Sequence, residues 1–122
     1  MSLLFVYGTL RRGAKTGWSE VLEESSRFIG MGTVSGELFL VRDYPGMIAS
    51  AMDRRVTGDV FRIDDAGLWS KLDEYEGDEF ERRMVLVHMT DGSKLEACAY
   101  FYVRDTAGKT RIESGDYLAG TA

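Results

Sequence analysis

The amino-acid sequence predicts an α+β fold in which β-strands predominate. Five segments are rich in Val, Leu, Phe and Tyr or alternate apolar with polar residues, which is the pattern of a strand. Two further segments repeat apolar residues at the spacing of a helix. The predicted strands are residues 3–7, 33–41, 56–63, 82–90 and 93–103. The only proline lies in Asp43-Tyr44-Pro45-Gly46, where a turn is predicted.

The longer predicted helix follows the third strand. Asp64 or Asp65 can cap its N-terminus, and Gly77 can end it in the left-handed conformation that glycine tolerates. Its apolar face is given by the spacing i, i+4, i+7 of Leu68, Leu72 and Tyr75. A shorter helix, ending near Ser25, is predicted by the spacing i, i+3, i+4 of Trp18, Val21 and Leu22.

The last two predicted strands form a hairpin around Asp91-Gly92, a pair suited to a two-residue type I′ turn. That turn would place His88 opposite Leu95 and Val85 opposite Cys98. His88 and Cys98, the only histidine and the only cysteine, would then lie on opposite faces of the sheet. The register therefore argues against a Cys-His nucleophilic dyad.

Composition restricts the classes of function. The 122 residues, 44% of them hydrophobic, suit one domain spanning residues 1–122. A single cysteine excludes an internal disulfide framework and a cysteine-rich zinc cluster. No apolar run approaches the ~20 residues that cross a bilayer, and a net charge of −5 argues against nucleic acid or an anionic membrane. We therefore expect a cytoplasmic protein whose partner is a small molecule, with no metal and no cofactor.

The end of the longer helix is unusually acidic. In LDEYEGDEFERR, residues 72–83, six of the twelve residues are acidic, and carboxylates are disfavoured at a helix C-terminus. One interpretation is a solvated helix end with arginine counter-charges. The other is a functional carboxyl at Glu76, whose pKa like charges and burial would raise into the range of a general base. Glu74 is the alternative base if the helix is rotated.

A glycine-containing turn, Tyr7-Gly8-Thr9-Leu10, follows the first strand. Exposed backbone N–H groups in such a turn can bind an anion, and a plain tight turn is the simpler alternative. Arg11 and Arg12 come next. They are interpreted either as attracting an anionic substrate or as a solvated pair, with the solvated pair favoured.

Several blocks together resemble bacterial members of the gamma-glutamylcyclotransferase-like family, which includes gamma-glutamylamine cyclotransferases. The blocks are VYGTLRRG, GELFLVRDYPGM, VTGDVFRID, LDEYEGDEFERR, AYFYV and ESGDY. They occur in the family's order and approximate spacing over nearly the whole chain. The resemblance implies a small mixed β-barrel with peripheral helices and a pocket at one barrel mouth.

The resemblance also implies a reaction. Family enzymes release 5-oxoproline from a γ-glutamyl amide when the substrate's own α-amine attacks its γ-carbonyl. Glu76 matches the catalytic glutamate, and the turn matches the substrate-binding residues Tyr7, Gly8, Thr9 and Leu10. Tyr117 corresponds to an aromatic residue that lines the pocket, although packing in the core or in a lid explains it equally well.

One departure from the family pattern stands at Ala14-Lys15-Thr16-Gly17-Trp18, where bacterial relatives often carry Asn or Asn-His. A second hypothesis therefore stays open: a non-catalytic protein that binds a small acidic metabolite in the same pocket. The sequence does not determine the leaving amine, or whether the chain is a monomer or a homodimer.

Overall fold

The fold is described from a computed structural model, which covers residues 2–8, 10–11, 17–50 and 54–118. Its elements, in chain order, are β1 Ser2–Val6, α1 Gly17–Ser25, β2 Arg27–Ser35, β3 Glu37–Leu40, β4 Pro45–Ile48, β5 Arg55–Ile63, α2 Ala66–Glu76, β6 Phe80–Met89, β7 Lys94–Tyr102 and β8 Thr110–Arg111.

The strands form one sheet in the order β1-β5-β2-β6-β7-β4-β3-β8, and an additional pairing of β1 with β7 closes it. In that closure β1 and β7 run parallel, and Leu4 of β1 pairs with Cys98 of β7. The closed part is a five-stranded barrel of β1, β5, β2, β6 and β7. β4 leaves the barrel beside β7 and carries β3 and β8 with it. The α+β class and the mixed barrel with peripheral helices are confirmed.

Alternation along the strands produces two apolar cores, because successive side chains point to opposite faces of a sheet. On β1, Phe5 points into the barrel, whereas Leu4 and Val6 point outward. The inner core is completed by Val56, Val60, Val87, Ala97 and Ala99, among others. The outer core contains Leu22, Phe61, Ile63, Leu68, Leu72 and Tyr100, and it joins both helices to the barrel wall.

The two predicted helices are confirmed, and α2 shows the expected caps. The Asp65 carboxylate accepts a hydrogen bond from the Gly67 N–H, and Gly77 has a φ of 76° with its N–H bonded to the Asp73 carbonyl. Leu68 and Leu72 are buried as predicted. Tyr75, by contrast, is exposed, so the apolar face of α2 is narrower than the spacing suggested.

The strand predicted over residues 33–41 divides into the end of β2 and all of β3. The first half of β2 escaped prediction because Gly30 and Gly32 interrupt its apolar pattern. The structure requires a small residue there, since a β-carbon at Gly32 would lie 2.7 Å from Cγ1 of Val87 and 2.8 Å from the His88 carbonyl oxygen. The turn predicted at 43–46 closes earlier, where the Val41 N–H bonds to the Tyr44 carbonyl, and Pro45 already begins β4.

The predicted hairpin register is wrong by one residue. Residues 90–93 separate β6 from β7. The Met89 N–H donates to the Ser93 carbonyl, which leaves three residues in the turn, and the Met89 carbonyl accepts the N–H of Gly92, whose φ is 92°. This is the geometry of a type I turn followed by a glycine bulge. It pairs Met84 with Cys98, which places Cys98 and His88 on the same face. They remain about 13 Å apart along the sheet. The Cys-His dyad is therefore excluded by the distance between the two residues and not by the faces of the sheet on which they lie.

Candidate active site

The predicted site residues begin at the end of the barrel where β1 runs into β4 and β7, which we call the mouth. Tyr7, the first residue after β1, connects these elements. Its buried hydroxyl donates to the Tyr100 carbonyl oxygen at 2.6 Å and accepts from the Met47 N–H at 3.2 Å. This hydroxyl therefore ties β1 to the point where β4 and β7 pair through Met47 and Phe101.

Glu76 ends α2, and its charge reaches this hydroxyl. Its side chain is only partly exposed, and burial raises the pKa of the Glu76 carboxyl to about 7. Burial also raises the pKa of Tyr7, and the negative charge of Glu76 raises it further. Although 69 positions separate Tyr7 from Glu76 in the sequence, the fold brings the two side chains within electrostatic reach of each other. A carboxyl with a pKa near neutrality can both accept and return a proton.

The turn after Tyr7 is described for Gly8 and Leu10, whereas Thr9 lies outside the described residues. The Arg11 N–H bonds to the Gly8 carbonyl at 3.0 Å and closes the turn. Leu10 is buried in the outer core, so its side chain anchors the turn. A β-carbon at Gly8 would lie 2.6 Å from Cγ of Pro45, which shows that only glycine fits between the turn and β4.

A polar cluster that the sequence analysis did not single out supports the end of α2. The Tyr100 hydroxyl donates to Oδ1 of Asp73 at 2.6 Å, and Arg82 reaches the same oxygen at 3.4 Å. The Arg82 guanidinium also lies 4.7 Å from the centre of the Trp69 ring. Asp73 precedes Glu76 by one helical turn, so this cluster fixes the helix end that carries Glu76. The acidic run at the end of α2 was the sequence signal for this cluster, but the residues that pair with Asp73 lie on strands β6 and β7.

Tyr117 is half-buried and packs against the inner core. Its hydroxyl donates to the Asp43 carbonyl oxygen at 3.0 Å. Asp43 belongs to the loop before β4, and the next residue, Tyr44, donates its hydroxyl to Glu79 at 2.8 Å. The loop before β4 therefore contacts Tyr117 and the segment just after Glu76, and Pro45, the first residue of β4, lies against the Gly8 turn.

The solvated interpretation of Arg11 is wrong. Arg11 is 4% exposed and pairs with two carboxylates, Asp116 at 2.6 Å and Asp59 at 3.6 Å. Its chain neighbours and its charge gave no sign of these partners, which come from β5 and from the C-terminal segment. Arg12 and residues 14–16 lie outside the described residues. Glu74, the alternative base, is exposed.

We expect Tyr7→Phe to destabilise the fold by about 1 to 3 kcal/mol, because the change removes a hydroxyl that bonds two buried backbone groups. Tyr44→Phe is the matched control, since it removes a hydroxyl that bonds a side chain nearer the surface, and it should cost about 0.5 kcal/mol. Urea unfolding of both variants measures the difference. Equal losses would show that the Tyr7 hydroxyl does not join β4 to β7.

The fold places the protein in a class of small barrel proteins that have been solved several times. The crystal structure of YkqA from Bacillus subtilis superimposes with a TM-score of 0.79 at 28% identity, over 99% of this chain and 43% of that one. The Methanocaldococcus jannaschii protein MJ1514 is 31% identical over 96% of both chains. The gamma-glutamylcyclotransferase family protein YtfP of Escherichia coli is 34% identical over 94% of this chain and 95% of its own length.

Residues 4–119 match the model of the family described as gamma-glutamyl cyclotransferase, AIG2-like. The chain belongs to this family, and its function is gamma-glutamylcyclotransferase-like. Within the part of the chain that the structure describes, no helix is both long and apolar enough to span a membrane.

Proposed function

We propose that this protein is a cyclotransferase that releases 5-oxoproline and an amine or amino acid from a γ-glutamyl amide. The observation that carries the proposal is the Glu76 carboxyl, which is partly buried within electrostatic reach of Tyr7 and has its pKa raised to about 7. Such a carboxyl suits a reaction that moves protons from the attacking nitrogen to the leaving nitrogen. The family membership of the chain supports the same chemistry.

In the proposed reaction, the Glu76 carboxylate accepts a proton from the substrate's α-ammonium group. The freed amine attacks the γ-carbonyl carbon, which forms the new C–N bond of a five-membered lactam and places negative charge on the carbonyl oxygen. As that oxyanion collapses, the original amide C–N bond breaks and protonated Glu76 gives its proton to the departing nitrogen. The new lactam nitrogen still carries two protons, and it gives one of them to the released amine, which leaves as an ammonium ion. No water is consumed, and Glu76 ends as it began.

The turn at residues 7–10 is proposed to hold the substrate through its backbone. The Tyr7 hydroxyl is already bonded to Tyr100 and Met47. Tyr7 would therefore contact the substrate through its ring and its main chain, and not through its hydroxyl. Gly8, Thr9 and Leu10 would supply N–H groups for the α-carboxylate or the oxyanion, where fixed donors stabilise developing charge. Tyr117 would contact the leaving group from the other side of the mouth.

The test is release of 5-oxoproline, measured by mass spectrometry across γ-glutamyl amines and γ-glutamyl amino acids. Isomeric α-glutamyl compounds are the matched controls, because their geometry cannot close the same lactam. In ¹⁸O-labelled water the 5-oxoproline should carry no label. Release of labelled glutamate would identify a hydrolase instead. Binding without any turnover would favour the non-catalytic alternative.

The pH dependence of the reaction follows from the pKa of Glu76. We expect kcat/KM to rise with pH through about 7, because only the ionised carboxylate can accept the first proton. Initial rates measured from about pH 5 to about pH 9 give the profile. A rate that falls across the same range would mean that the group acts first as an acid, and would contradict the assigned role.

A further inference from the structure

Arg11 is a buried charge that the proposed reaction does not use. Burying a guanidinium is unfavourable unless it is well paired, and replacing a buried ion pair by apolar residues is often neutral or stabilising. Arg11 is 4% exposed, and its Nη1 donates a hydrogen bond to Oδ1 of Asp116 at 2.6 Å. Its Nε lies 3.6 Å from Oδ2 of Asp59, which is an ion pair without a hydrogen bond. Stability alone therefore gives a weak account of this arrangement.

The two carboxylates belong to different parts of the mouth. Asp59 lies on β5 directly opposite Val6, where β1 ends and the turn begins. Asp116 lies 105 positions from Arg11 in the chain, and its Oδ1 also accepts the Leu118 N–H at 3.1 Å. Asp116 thus fixes the backbone on both sides of Tyr117. Arg11 itself closes the turn through its N–H bond to Gly8.

These contacts continue around the mouth. From Arg11 they pass to Asp116 and its neighbour Tyr117, whose hydroxyl reaches the Asp43 carbonyl. Pro45, two residues later, packs against Gly8, which returns to the turn closed by Arg11. The turn and the Tyr117 segment are therefore joined in a ring of contacts, and the Arg11–Asp116 pair is its charged, largely buried link.

We propose that Arg11 is a positioning residue that couples the backbone turn at residues 7–10 to the segment carrying Tyr117. The proposal rests on the proposed function, because it assigns these two elements to opposite sides of one substrate. The planar guanidinium can hold two carboxylates at fixed angles, which the single ammonium of lysine cannot do. Arg11 keeps its charge inside the fold so that both elements keep their relative position when the substrate binds.

The first test is kinetic. Arg11→Lys should lower kcat/KM for a γ-glutamyl amide by about tenfold to a hundredfold, because small displacements of positioned groups are costly. Asp116→Asn, which leaves Arg11 in place, should lower it in the same direction and keeps the test valid if Arg11→Lys folds poorly. Arg62→Lys is the matched control, since Arg62 pairs with Asp64 on the surface. An unchanged kcat/KM in folded Arg11→Lys would overturn the proposal.

A double-substitution cycle separates coupling from general damage. Tyr117→Phe removes the bond to Asp43 and should lower kcat/KM in the wild-type background. In the Arg11→Lys background its effect should be several-fold smaller, because the segment is already displaced. Independent, multiplying effects would overturn the proposal, since a residue that only stabilises the fold does not change what Tyr117 contributes.

Amide hydrogen exchange tests the coupling without any activity. In Arg11→Lys, the amide protons of residue 11 and of Leu118 should both exchange faster, whereas that of Gly77, bonded to Asp73, should be unchanged. Faster exchange at only one of the two sites would overturn the coupling. Because this readout needs no substrate, it decides the role of Arg11 even if the wild-type protein releases no 5-oxoproline, which would overturn the proposed function separately.

Discussion

Glu76→Gln will lower 5-oxoproline release by about 10²- to 10⁴-fold, the range that positioned acid-base groups contribute. The amide keeps the size of the side chain but can neither accept the proton from the α-ammonium group nor return it to the leaving nitrogen. Substrate binding should persist, because the proposed anion contacts come from the turn after β1. The expected result is therefore a loss in kcat with little change in affinity, measured by single-turnover kinetics and calorimetric titration.

The same substitution should make the protein more stable near neutral pH. The folded state raises the pKa of Glu76 from 4.5 to about 7, so between these values it holds a proton that the unfolded chain releases. The free energy of unfolding contributed by Glu76 is fully present below pH 4.5 and is lost as the pH rises through about 7. Glu76→Gln abolishes this loss, so its advantage over wild type should grow as the pH rises from 4.5 to about 7, stay constant at higher pH and vanish in acid.

Glu74→Gln is the matched control for both measurements. Glu74 lies two residues earlier on the same helix and is exposed, so its substitution should leave turnover unchanged and alter stability little. If Glu74→Gln abolished turnover and Glu76→Gln did not, the base would be Glu74. If neither variant lost activity, general acid-base catalysis from this helix end would be excluded.

Gly115→Ala will destabilise the protein by about 3 to 5 kcal/mol, through backbone strain and overlap together. Gly115 has a φ of 68°, which L-residues adopt at a cost. An added β-carbon would also lie 2.0 Å from the Arg55 carbonyl oxygen. The C-terminal segment must then leave β5, to which the Gly115 carbonyl is bonded through the Thr57 N–H at 2.7 Å. Tyr117 would be displaced with it, so turnover should fall as well.

Gly108→Ala isolates the strain from the overlap. Its φ is 77°, close to that of Gly115, but no heavy atom lies within 4 Å of the added β-carbon. This variant should cost about 1 to 2 kcal/mol and leave turnover intact. Thermal unfolding of the two variants gives the comparison. Equal destabilisation would show that the close approach to β5 contributes nothing.

The local chemistry of the chain was sufficient to predict several elements. Asp65 and Gly77 delimit α2 through contacts within a few residues of themselves, and apolar patterns located β5, β6 and β7 to within one or two residues. Glu76 was marked by an acidic helix end that local rules disfavour. The turn at Tyr7-Gly8-Thr9-Leu10 was marked by its glycine after a buried strand. These signals are readable because their causes lie close together in the chain.

The remaining features depend on contacts between distant segments, which a one-dimensional pattern does not contain. The β6–β7 register differs by one residue from the predicted register, because Gly92 takes a positive φ at the end of a longer loop. The partners of the Tyr7 hydroxyl and of Asp73 come from other strands. Sequence determined the class of fold and the two candidate parts of the site, since propensity and capping act locally. Tertiary structure alone decided that Glu76 is partly buried within electrostatic reach of Tyr7 and that Arg11 is an internal charge, because burial and ion pairing depend on how the closed barrel brings distant residues together.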